Sequence, residues 1–419
     1  MSRTDVVVIG AGQAGLAISW HLAASGIDHV VLERRRVAER WRSERWDSLR
    51  LLTPNWMTRL PGWRYRGPDP DGFMTMAGVT AFLDAYARSF AAPVRTGTEV
   101  LAVARQGDGW RVETDRGMWS ARAVVVATGH CDAPLIPEIA WRLPTSVEQL
   151  VPGDYRNPRQ LLSGGVLVVG ASASGVQIAD ELARAGRAVT LAVGRHIRLP
   201  RRHRGRDIFW WLDRLGLLDQ AAAAMPDIEA ARSQPSLQLV GSPEHRSIDL
   251  ATLSRAGVRL AGRVVGAEGG RICFAGDLAD TTAAAERKLT GLRARIDSFA
   301  EASGLGGPAE ASEPLDPAAL AEAPRALDLS AEGIGTVVWA TGFRRRYPWL
   351  PAEALDHRGE IRHRGGVGAA PGLYVLGLRF MRRRKSGFID GVGGDAGALA
   401  GHLIHHLSHQ PGAELRAAV

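Results

Sequence analysis

The chain has 419 residues, of which 45% are hydrophobic, and this suffices for two or three domains with full cores. Its net charge of +8 fits a solvated surface or attraction for phosphate-bearing small molecules, and we expect no nucleic-acid partner. The sequence contains no run of about 18 apolar residues, so we expect no membrane-spanning helix. The two cysteines, Cys131 and Cys273, form no CxxC pair, which excludes a thioredoxin-type dithiol and a cysteine zinc site. The scarcity of cysteine and the early first strand, which leaves no room for a secretory signal, predict a cytoplasmic protein.

The chain opens with a strand, a glycine-rich turn, a helix and a second strand. Val6–Ile9 is an apolar β-branched run, typical of a strand buried on both faces. In the sequence GAGQAG that follows, the first glycine allows a tight turn, the second lets a pyrophosphate approach, and the third lets helix and strand pack closely. A helix over 16–25 and a strand over 28–32 lead to an acidic residue that can accept hydrogen bonds from a ribose. The pattern predicts a dinucleotide site formed by Gly10, Gly12, Gln13, Ala14, Gly15 and Glu33.

An unusual density of Trp and Arg follows between positions 39 and 63. Such a segment is typical of core packing or of a loop-rich wrap around a flat aromatic ligand. Beyond it we predict a helix and three strands, the last of which ends in the turn Ala127-Thr128-Gly129; their ranges are 78–90, 94–103, 110–114 and 118–127. Residues 134–158 contain several prolines and little periodicity, which predicts a crossover between domains.

The opening pattern then recurs. Val166–Val169 predicts a buried strand, the sequence GASASG at 170–175 a second glycine loop, and 176–185 a helix before a strand over 188–193. A serine-hydrolase elbow would read GxSxG, which this loop does not match. The predicted contacts to a second dinucleotide are Gly170, Ser172, Ser174 and Gly175.

The two units end with opposite charge, and this predicts which nucleotide each one binds. Glu33 closes the first unit, whereas Arg195 and His196 begin a basic run after the second. An acid at this point favours a free ribose 2′-hydroxyl, and an arginine accommodates a 2′-phosphate. We therefore assign FAD to the first unit and NADPH to the second. Arg195 is the expected phosphate contact, which His196 or Arg201 could share.

The remaining predicted elements are a helical insertion over 207–231, short strands over 250–275, a helix over 281–300, a loop over 303–317, a strand over 336–342 that ends in a second Ala-Thr-Gly, a strand over 372–376, and a glycine-rich segment over 387–397 before a C-terminal helix. Four histidines of that helix have i, i+4 spacing, at positions 402, 405, 406 and 409. No acidic partner or HExxH pattern accompanies them, so we predict no metal site.

Together these motifs resemble the class B flavin-dependent monooxygenases, which include flavin-containing monooxygenases, YUCCA-like enzymes, Baeyer–Villiger enzymes and related bacterial flavoproteins. The resemblance covers nearly the whole chain and rests on the glycine loops, the Ala-Thr-Gly turns, Glu33-Arg34, Arg40-Trp41 and Trp46–Leu51. It implies an α/β fold with two glutathione-reductase-like dinucleotide-binding domains. The FAD domain would be discontinuous, with residues 1–145 and 326–419, and the NADPH domain with its helical insertion would occupy 146–325.

The resemblance also implies further site residues. Asn55 lies close to the position of a flavin-side asparagine of the family, displaced because Pro54 intervenes, and is the candidate catalytic residue. The further cofactor contacts that it implies are Arg34, Arg40, Trp41, Leu52, Val100, Thr128, Gly129, Thr341, Gly342 and Asp390. The chain departs from the family in two further respects. The histidine of the interdomain fingerprint falls on Val151, with only Tyr155 and Pro158 kept, and Gly377-Leu378 replaces Gly-Asp.

The activity that the resemblance implies is NADPH-dependent reduction of FAD. One oxygen atom of O₂ is then inserted, through a flavin C4a-hydroperoxide, at nitrogen, sulfur or a carbonyl of a small organic substrate. The Trp-rich segments suggest an apolar or aromatic substrate, and the protein is expected to be a monomer or a homodimer. Two alternatives stay open: an NAD(P)H-dependent flavin oxidoreductase without oxygen insertion, and a flavin-bound sensor without turnover, which the missing histidine favours.

Overall fold

The computed structural model describes residues 1–305, 307–309 and 314–409, so part of the loop predicted over 303–317 and the last residues of the chain lie outside the described residues. The α-helices of the described residues are α1 Gln13–Ala24, α2 Glu39–Ser43, α3 Met76–Ser89, α4 Ala173–Arg184, α5 Ile208–Arg214, α6 Ile228–Arg232, α7 Leu250–Arg255, α8 Leu278–Ala302, α9 Pro317–Ala321 and α10 Ile389–Ser408. No described helix is both long and apolar enough to cross a membrane.

The strands of the described residues are β1 Ser2–Ile9, β2 His29–Leu32, β3 Arg59–Leu60, β4 Trp63–Arg64, β5 Val94–Arg95, β6 Val100–Gln106, β7 Gly109–Thr114, β8 Gly117–Val126, β9 Ala133–Pro134, β10 Glu148–Leu150, β11 Gly165–Val169, β12 Val189–Ala192, β13 Ile197–Arg198, β14 Arg202–His203, β15 Arg206–Asp207, β16 Leu237–Gln238, β17 Arg259–Ala261, β18 Val264–Glu268, β19 Arg271–Phe274, β20 Ala326–Asp328, β21 Ile334–Trp339, β22 Phe343–Arg344, β23 His363–Arg364, β24 Val367–Gly368 and β25 Leu373–Val375.

The first glycine-loop unit builds a mixed sheet of nine strands. β1 pairs in parallel with β2 and β8, and β25 pairs in parallel with β8, which gives the order β23-β24-β25-β8-β1-β2-β5. The hairpin β6–β7 joins through antiparallel pairing of β7 with β8. Val6, Val7 and Val8 have no solvent exposure, as expected of a parallel strand covered on both faces. A strand and a helix from near the C-terminus thus complete this unit, because α10 packs against α1.

The second glycine-loop unit builds a separate parallel sheet. Its five strands have the order β10-β21-β11-β12-β17. The core strand β11 is buried along its whole length. The long helix α8 and the short helices α5 and α6 belong to the same stretch of chain, and the segment from Leu250 begins as helix α7 rather than with the predicted short strands.

The chain crosses between the sheets twice, and the two crossings lie side by side. β9 pairs antiparallel with β22, and the Leu135 N–H donates to the Gly342 carbonyl over 2.9 Å. Each crossing directly follows one Ala-Thr-Gly turn. The α/β architecture with two dinucleotide-type units is therefore the one that the sequence predicts.

The predicted domain boundaries need correction. The boundary at 325/326 is wrong because β21 pairs between β10 and β11 in the second sheet. The boundary at 145/146 is also displaced, because Ala140 and Leu143 pack with Leu167 and Val337 in the core of the second unit. We propose instead an inserted unit over 136–342, and a first unit made of 1–135 and the chain from 343 onward.

The glycine-rich segment predicted to precede the C-terminal helix lies mostly inside it, since α10 begins at Ile389. Its glycines allow close packing. A Cβ atom at Gly397 would lie 3.1 Å from the His21 ring of α1, and one at Gly393 would lie 3.0 Å from Pro61. The segment therefore lets α10 approach the first glycine-loop unit closely.

Candidate functional site

The first glycine loop forms a cradle at the N-terminus of α1. Gly10 has φ of +104°, and a Cβ atom there would lie 2.8 Å from the Ala127 carbonyl. A Cβ atom at Gly15 would lie 1.8 Å from the Gly10 carbonyl, so only glycine lets this helix meet its strand. At Gly12, by contrast, no atom lies within 4 Å of an added Cβ, and no side chain caps the helix. The first N–H groups of α1 therefore face open space, which is the arrangement that binds a pyrophosphate.

The second glycine loop repeats this geometry. Gly170 has φ of +107° and would place a Cβ atom 2.4 Å from the Ala340 carbonyl, and a Cβ atom at Gly175 would lie 1.8 Å from the Gly170 carbonyl. Ser172 takes the place of Gly12 with nearly the same backbone angles, and its hydroxyl does not cap α4. Ser174 lies in the first turn of that helix. The chain therefore contains two cradles of one design, one in each unit.

A pocket of about 430 Å³ lies in front of the first cradle. This volume is within the range of small-molecule and cofactor sites. Of the residues that the sequence predicted as cofactor contacts, those that line it are Gly10, Gly12, Gln13, Ala14, Glu33, Arg34, Arg40, Trp41, Val100, Thr128 and Gly129. Gly15 lies behind them as a packing glycine.

Glu33 lies directly after β2 on the pocket wall. Its Oε2 accepts the Ala11 N–H over 2.9 Å, and its Oε1 accepts the Arg35 N–H over 3.0 Å. Each oxygen keeps a second lone pair for another donor. The carboxylate is thus held in place by the glycine loop and can still accept a hydrogen bond from a ribose hydroxyl.

Several pocket residues escaped the sequence analysis. They are Arg35, Ala38, Glu39, Glu44, Arg45, Thr98, Glu99, His130, Cys131, Asp132, Arg346, Pro348, Trp349, Gly377 and Gly387, with Ile9 and Ala127 at the strand ends. The segment 130–132 directly follows the first Ala-Thr-Gly turn, so its position in the sequence was a usable signal. Trp349 belongs to the part of the chain that follows the inserted unit, and no local sequence pattern marks it as a pocket residue.

Cys131 has an unusual electrostatic setting on this wall. Burial by itself raises the pKa of the Cys131 thiol. The charge and hydrogen bond of His130, together with the positive charges of Arg45 and Arg40, outweigh burial and lower the pKa to about 7. Arg40 also donates to the Cys131 carbonyl and to the Asp132 carboxylate, which fixes this segment.

Five further residues predicted for this site do not line the pocket. Asp390 is held instead by ion pairs with Arg59 and with Lys385, the latter at 3.3 Å. Leu52 and Asn55 lie on a separate segment, where the Asn55 amide donates to the Asp69 carbonyl over 2.9 Å. Asn55 is only 5% exposed. Thr341 and Gly342 lie in the turn that directly precedes the second crossing, and the Thr341 hydroxyl donates to the Leu135 carbonyl.

The second cradle lacks an acid where the first has Glu33. Strand register places Val193 there, because Gly10 N–H bonds Leu32 and Gly170 N–H bonds Ala192 in the same way. Arg195 therefore lies two residues beyond the position that is equivalent to Glu33, which corrects the expected equivalence. Its side chain is exposed, and it has no carboxylate partner among the described residues.

The other two residues expected near a 2′-phosphate face inward. His196 is only 5% exposed, its Nδ1 bonds the Gly194 carbonyl, and burial lowers the pKa of its imidazole. Arg201 is fully buried and bonds Asp207 over 2.7 Å, so it cannot share the phosphate as the sequence suggested. Arg195 remains the exposed candidate.

The tryptophans serve mainly as core. Trp41 alone of those between 39 and 63 lines the pocket. Trp46 packs in a hydrophobic cluster of the second unit, and Trp211, fully buried, donates to the His203 carbonyl over 2.7 Å. The Trp-rich segments therefore give no support for an aromatic substrate.

The remnant of the interdomain fingerprint has a structural place. Tyr155 is fully buried, and its hydroxyl donates to Glu181 Oε2 of α4 over 2.9 Å. Burial raises the pKa of Glu181. Val151, at the position of the family histidine, packs in a hydrophobic core and is only 8% exposed, so no imidazole is available there.

The two cradles are built alike, but the first has an acid and the second has an exposed arginine beyond its second strand. This combination defines a flavoprotein oxidoreductase with two dinucleotide sites. Residues 7–205 match the family model described as pyridine nucleotide-disulphide oxidoreductase. An uncharacterized CzcO-like oxidoreductase of Geobacillus kaustophilus is 34% identical over 96% of this chain and 99% of its own length. A probable indole-3-pyruvate monooxygenase, YUCCA1 of Arabidopsis thaliana, is 33% identical over 42% of this chain and 44% of its own.

Among solved structures, a flavin-containing monooxygenase from Stenotrophomonas maltophilia matches with a TM-score of 0.68 and 21% identity, covering 97% of this chain and 99% of the other. That similarity is one of fold. The chain belongs to the family of the CzcO-like oxidoreductases. The family model, the YUCCA relatives and the fold together support the class B flavin monooxygenases as the wider family. The family implies an oxidoreductase with FAD and NADPH as cofactors.

Proposed function

We propose that the protein is an FAD-dependent, NADPH-using monooxygenase that inserts one oxygen atom of O₂ into a small organic substrate at nitrogen, sulfur or a carbonyl. The observation that carries this proposal is the pair of matched cradles without a dithiol between them. Cys131 lies at the pocket, whereas Cys273 lies on β19 in the inserted unit, and both are free. A disulfide reductase of the dithiol type passes electrons through a pair of neighbouring thiols, and this chain has no such pair. A small-molecule acceptor, with O₂ as the family's co-substrate, fits this arrangement.

The residues around the first cradle fit FAD. The uncapped N–H groups of α1 suit the pyrophosphate, and the open space at Gly12 lets it approach. Glu33 suits the adenosine ribose, and Arg40 and Trp41 lie on the same wall. When bound, FAD supplies the two-electron chemistry that activates O₂, and the chain's own residues orient it and exclude water.

The residues around the second cradle fit NADPH. Ser172 leaves the N–H groups of α4 free for the pyrophosphate, and its own hydroxyl can contact phosphate. The absence of an acid at Val193 and the exposed Arg195 favour a 2′-phosphate over a free hydroxyl. We also propose that the protein is located in the cytoplasm, since both cysteines are unpaired.

A labelled-oxygen experiment tests the proposal. The purified holoenzyme is incubated with NADPH, ¹⁸O₂ and a panel of amines, sulfides and ketones, and the products are analysed by mass spectrometry. We expect one labelled oxygen atom in at least one product class, with NADPH consumed in step with product. The matched control is Gly12→Leu, which fills the first cradle. NADPH oxidation without any labelled product, across the panel, would contradict oxygen insertion.

A second candidate is an NAD(P)H-dependent flavin oxidoreductase that does not insert oxygen. The observation that favours it is Val151, because the family histidine that helps to organise the linker and the nicotinamide nucleotide is absent. The same incubation separates the two, since an oxidoreductase consumes NADPH and reduces an acceptor while all products stay unlabelled.

A further inference from the structure

Arg201 joins the two units at a point away from both glycine loops. It follows β13 in the inserted unit, and its side chain has no solvent exposure. Its Nη1 donates to the Leu52 carbonyl over 2.8 Å, and its Nη2 donates to Asp207 Oδ1 over 2.7 Å. One guanidinium group therefore bonds the first unit and the inserted unit at the same time.

The same guanidinium lies between two aromatic rings, one from each unit. Its Cζ is 4.8 Å from the centre of the Phe73 ring and 5.4 Å from that of Phe209. His245 of the inserted unit lies 5.2 Å from Phe73, centre to centre. Phe73 of the first unit is thus enclosed by the inserted unit, and desolvated cation–π contacts of this kind are the strong ones.

The backbones of the two units also approach each other closely beside Arg201. A Cβ atom at Gly241 would lie 2.2 Å from the Leu51 carbonyl and 3.0 Å from the Phe73 Cβ. No larger residue than glycine fits at Gly241 without movement. The inserted unit is therefore packed directly against the segment around Leu51 and Phe73, and Arg201 fixes the lateral position of that contact.

The segment that Arg201 contacts carries Asn55. The Asn55 N–H donates to the Gly72 carbonyl, and the Leu51 N–H donates to the Met74 carbonyl, each over 2.9 Å. Segments 51–55 and 72–74 therefore move as one paired element. Arg201 contacts both halves, through Leu52 and through Phe73.

A buried ion pair is a costly way to join two surfaces. Burial lowers the pKa of Arg201 and raises that of Asp207. Arg201 Nε and Asp207 Oδ2 have no hydrogen-bond partner in the described residues. Apolar side chains of similar volume often provide as much stability. The advantage of the guanidinium is direction, because its planar fork fixes the positions of two acceptors.

We propose that Arg201 is a positioning residue, which fixes the inserted unit and its nicotinamide-nucleotide cradle against the first unit and thereby sets the rate at which NADPH reduces the flavin. This inference rests on the proposed function. Hydride transfer is sensitive to geometry, and a displacement of about 1 Å can cost about a hundredfold in rate.

Three variants of the holoenzyme test the proposal. Arg201→Lys keeps the charge beside Asp207 but removes the planar fork that reaches Leu52. Arg201→Met with Asp207→Asn removes the ion pair without leaving a buried charge, and the asparagine can still cap α5 in place of Asp207. Phe73→Leu removes the ring from the first unit and leaves the ion pair intact. The matched control is Arg204→Lys, because among the described residues Arg204 forms its ion pairs within the inserted unit, with Asp297 and Glu301 of α8.

The measurement is anaerobic stopped-flow reduction by NADPH, expressed per bound flavin, together with flavin content and thermal unfolding. We expect the limiting reduction rate to fall about tenfold or more in all three variants, while the Kd for NADPH and the flavin content change less than about twofold. The control should reduce at the wild-type rate. A wild-type limiting rate per bound flavin in the three variants, even where stability falls, would overturn the proposal. A wild-type protein that NADPH does not reduce would instead overturn the proposed function.

Discussion

We propose that the choice between NADPH and NADH depends on Arg195. It is exposed beyond β12, whereas Arg198, Arg201 and Arg204 of the same basic run are each engaged in an ion pair with a carboxylate. A charge-assisted hydrogen bond to a 2′-phosphate is free to form only where the guanidinium is free.

We therefore predict that NADPH is preferred over NADH and that Arg195→Ala removes most of this preference. The loss should be about ten- to a hundredfold in kcat/KM for NADPH, with NADH use little changed, since charged hydrogen bonds contribute about 1.5–3 kcal/mol. Steady-state flavin reduction with both nucleotides measures it. Arg202→Ala is the control, because the Arg202 guanidinium bonds the Gly205 carbonyl in the adjacent hairpin. A wild type that favours NADH contradicts the assignment.

Cys131 is the second residue with a checkable property. Its pKa, lowered to about 7 from an ordinary 9.0, places half of the thiol in the thiolate form near neutral pH. Because the thiolate is the nucleophile, its alkylation by iodoacetamide should rise with pH to a plateau with a midpoint near pH 7.

The cause of this prediction can be tested separately, because nearby positive charge lowers the pKa of Cys131. In flavin-free protein, Arg45→Met should move the midpoint of Cys131 alkylation to higher pH, as read by peptide mass spectrometry. Arg42→Met should not, because Arg42 pairs with Asp84 and does not line the pocket. Bound FAD should slow the labelling. A wild-type midpoint near pH 9 would show that the surrounding arginines do not stabilise the thiolate.

At the scale of elements, the meeting of β1, the glycine loop and α1 separates packing from binding. Gly15 and Gly12 are three residues apart, yet an added Cβ meets a carbonyl at 1.8 Å in one case and nothing within 4 Å in the other. The two glycines therefore have different roles within one motif.

We predict that Gly15→Ala lowers the free energy of unfolding of the flavin-free protein by about 3 kcal/mol, because helix and strand must separate. Gly12→Leu should change it by only about 1 kcal/mol, the cost of a poorer N-cap residue, and should abolish FAD retention. Chemical denaturation and flavin absorbance after purification measure both. If the Gly12→Leu variant retained FAD, the FAD pyrophosphate would not bind at this cradle.

At the scale of the whole molecule, the inserted unit interrupts the first sheet. β25 and α10 complete the sheet and helix layer that begin with β1 and α1, although the inserted unit separates them in sequence. The two crossings lie side by side at β9 and β22, so a short linker can replace the inserted unit.

We therefore predict that residues 1–135 alone do not retain FAD, because they lack β25 and α10. The same residues joined by a short Gly-Ser linker to residue 343 and the chain beyond it should retain FAD. Residues 136–342 should fold separately, since they contain every strand of the second sheet. Circular dichroism and flavin absorbance of the three fragments are the measurements. Flavin retention by 1–135 alone would contradict the discontinuous unit.

The sequence by itself determined both cradles and the buried strands β1 and β11, and it predicted FAD and NADPH as the cofactors. These features depend on local constraints: a glycine with positive φ, an uncapped helix start and an unbroken apolar run can be recognised within a few residues. The tertiary structure decided the features that join distant segments. β21 pairs with the second sheet, the Cys131 thiol meets arginines from α2 and its C-terminal end, Asp390 is held by Arg59, and Arg201 turns inward to Leu52 and Phe73. The physical reason is that pairing register and buried charge partners are set by packing between segments far apart in the chain, and no local pattern encodes them.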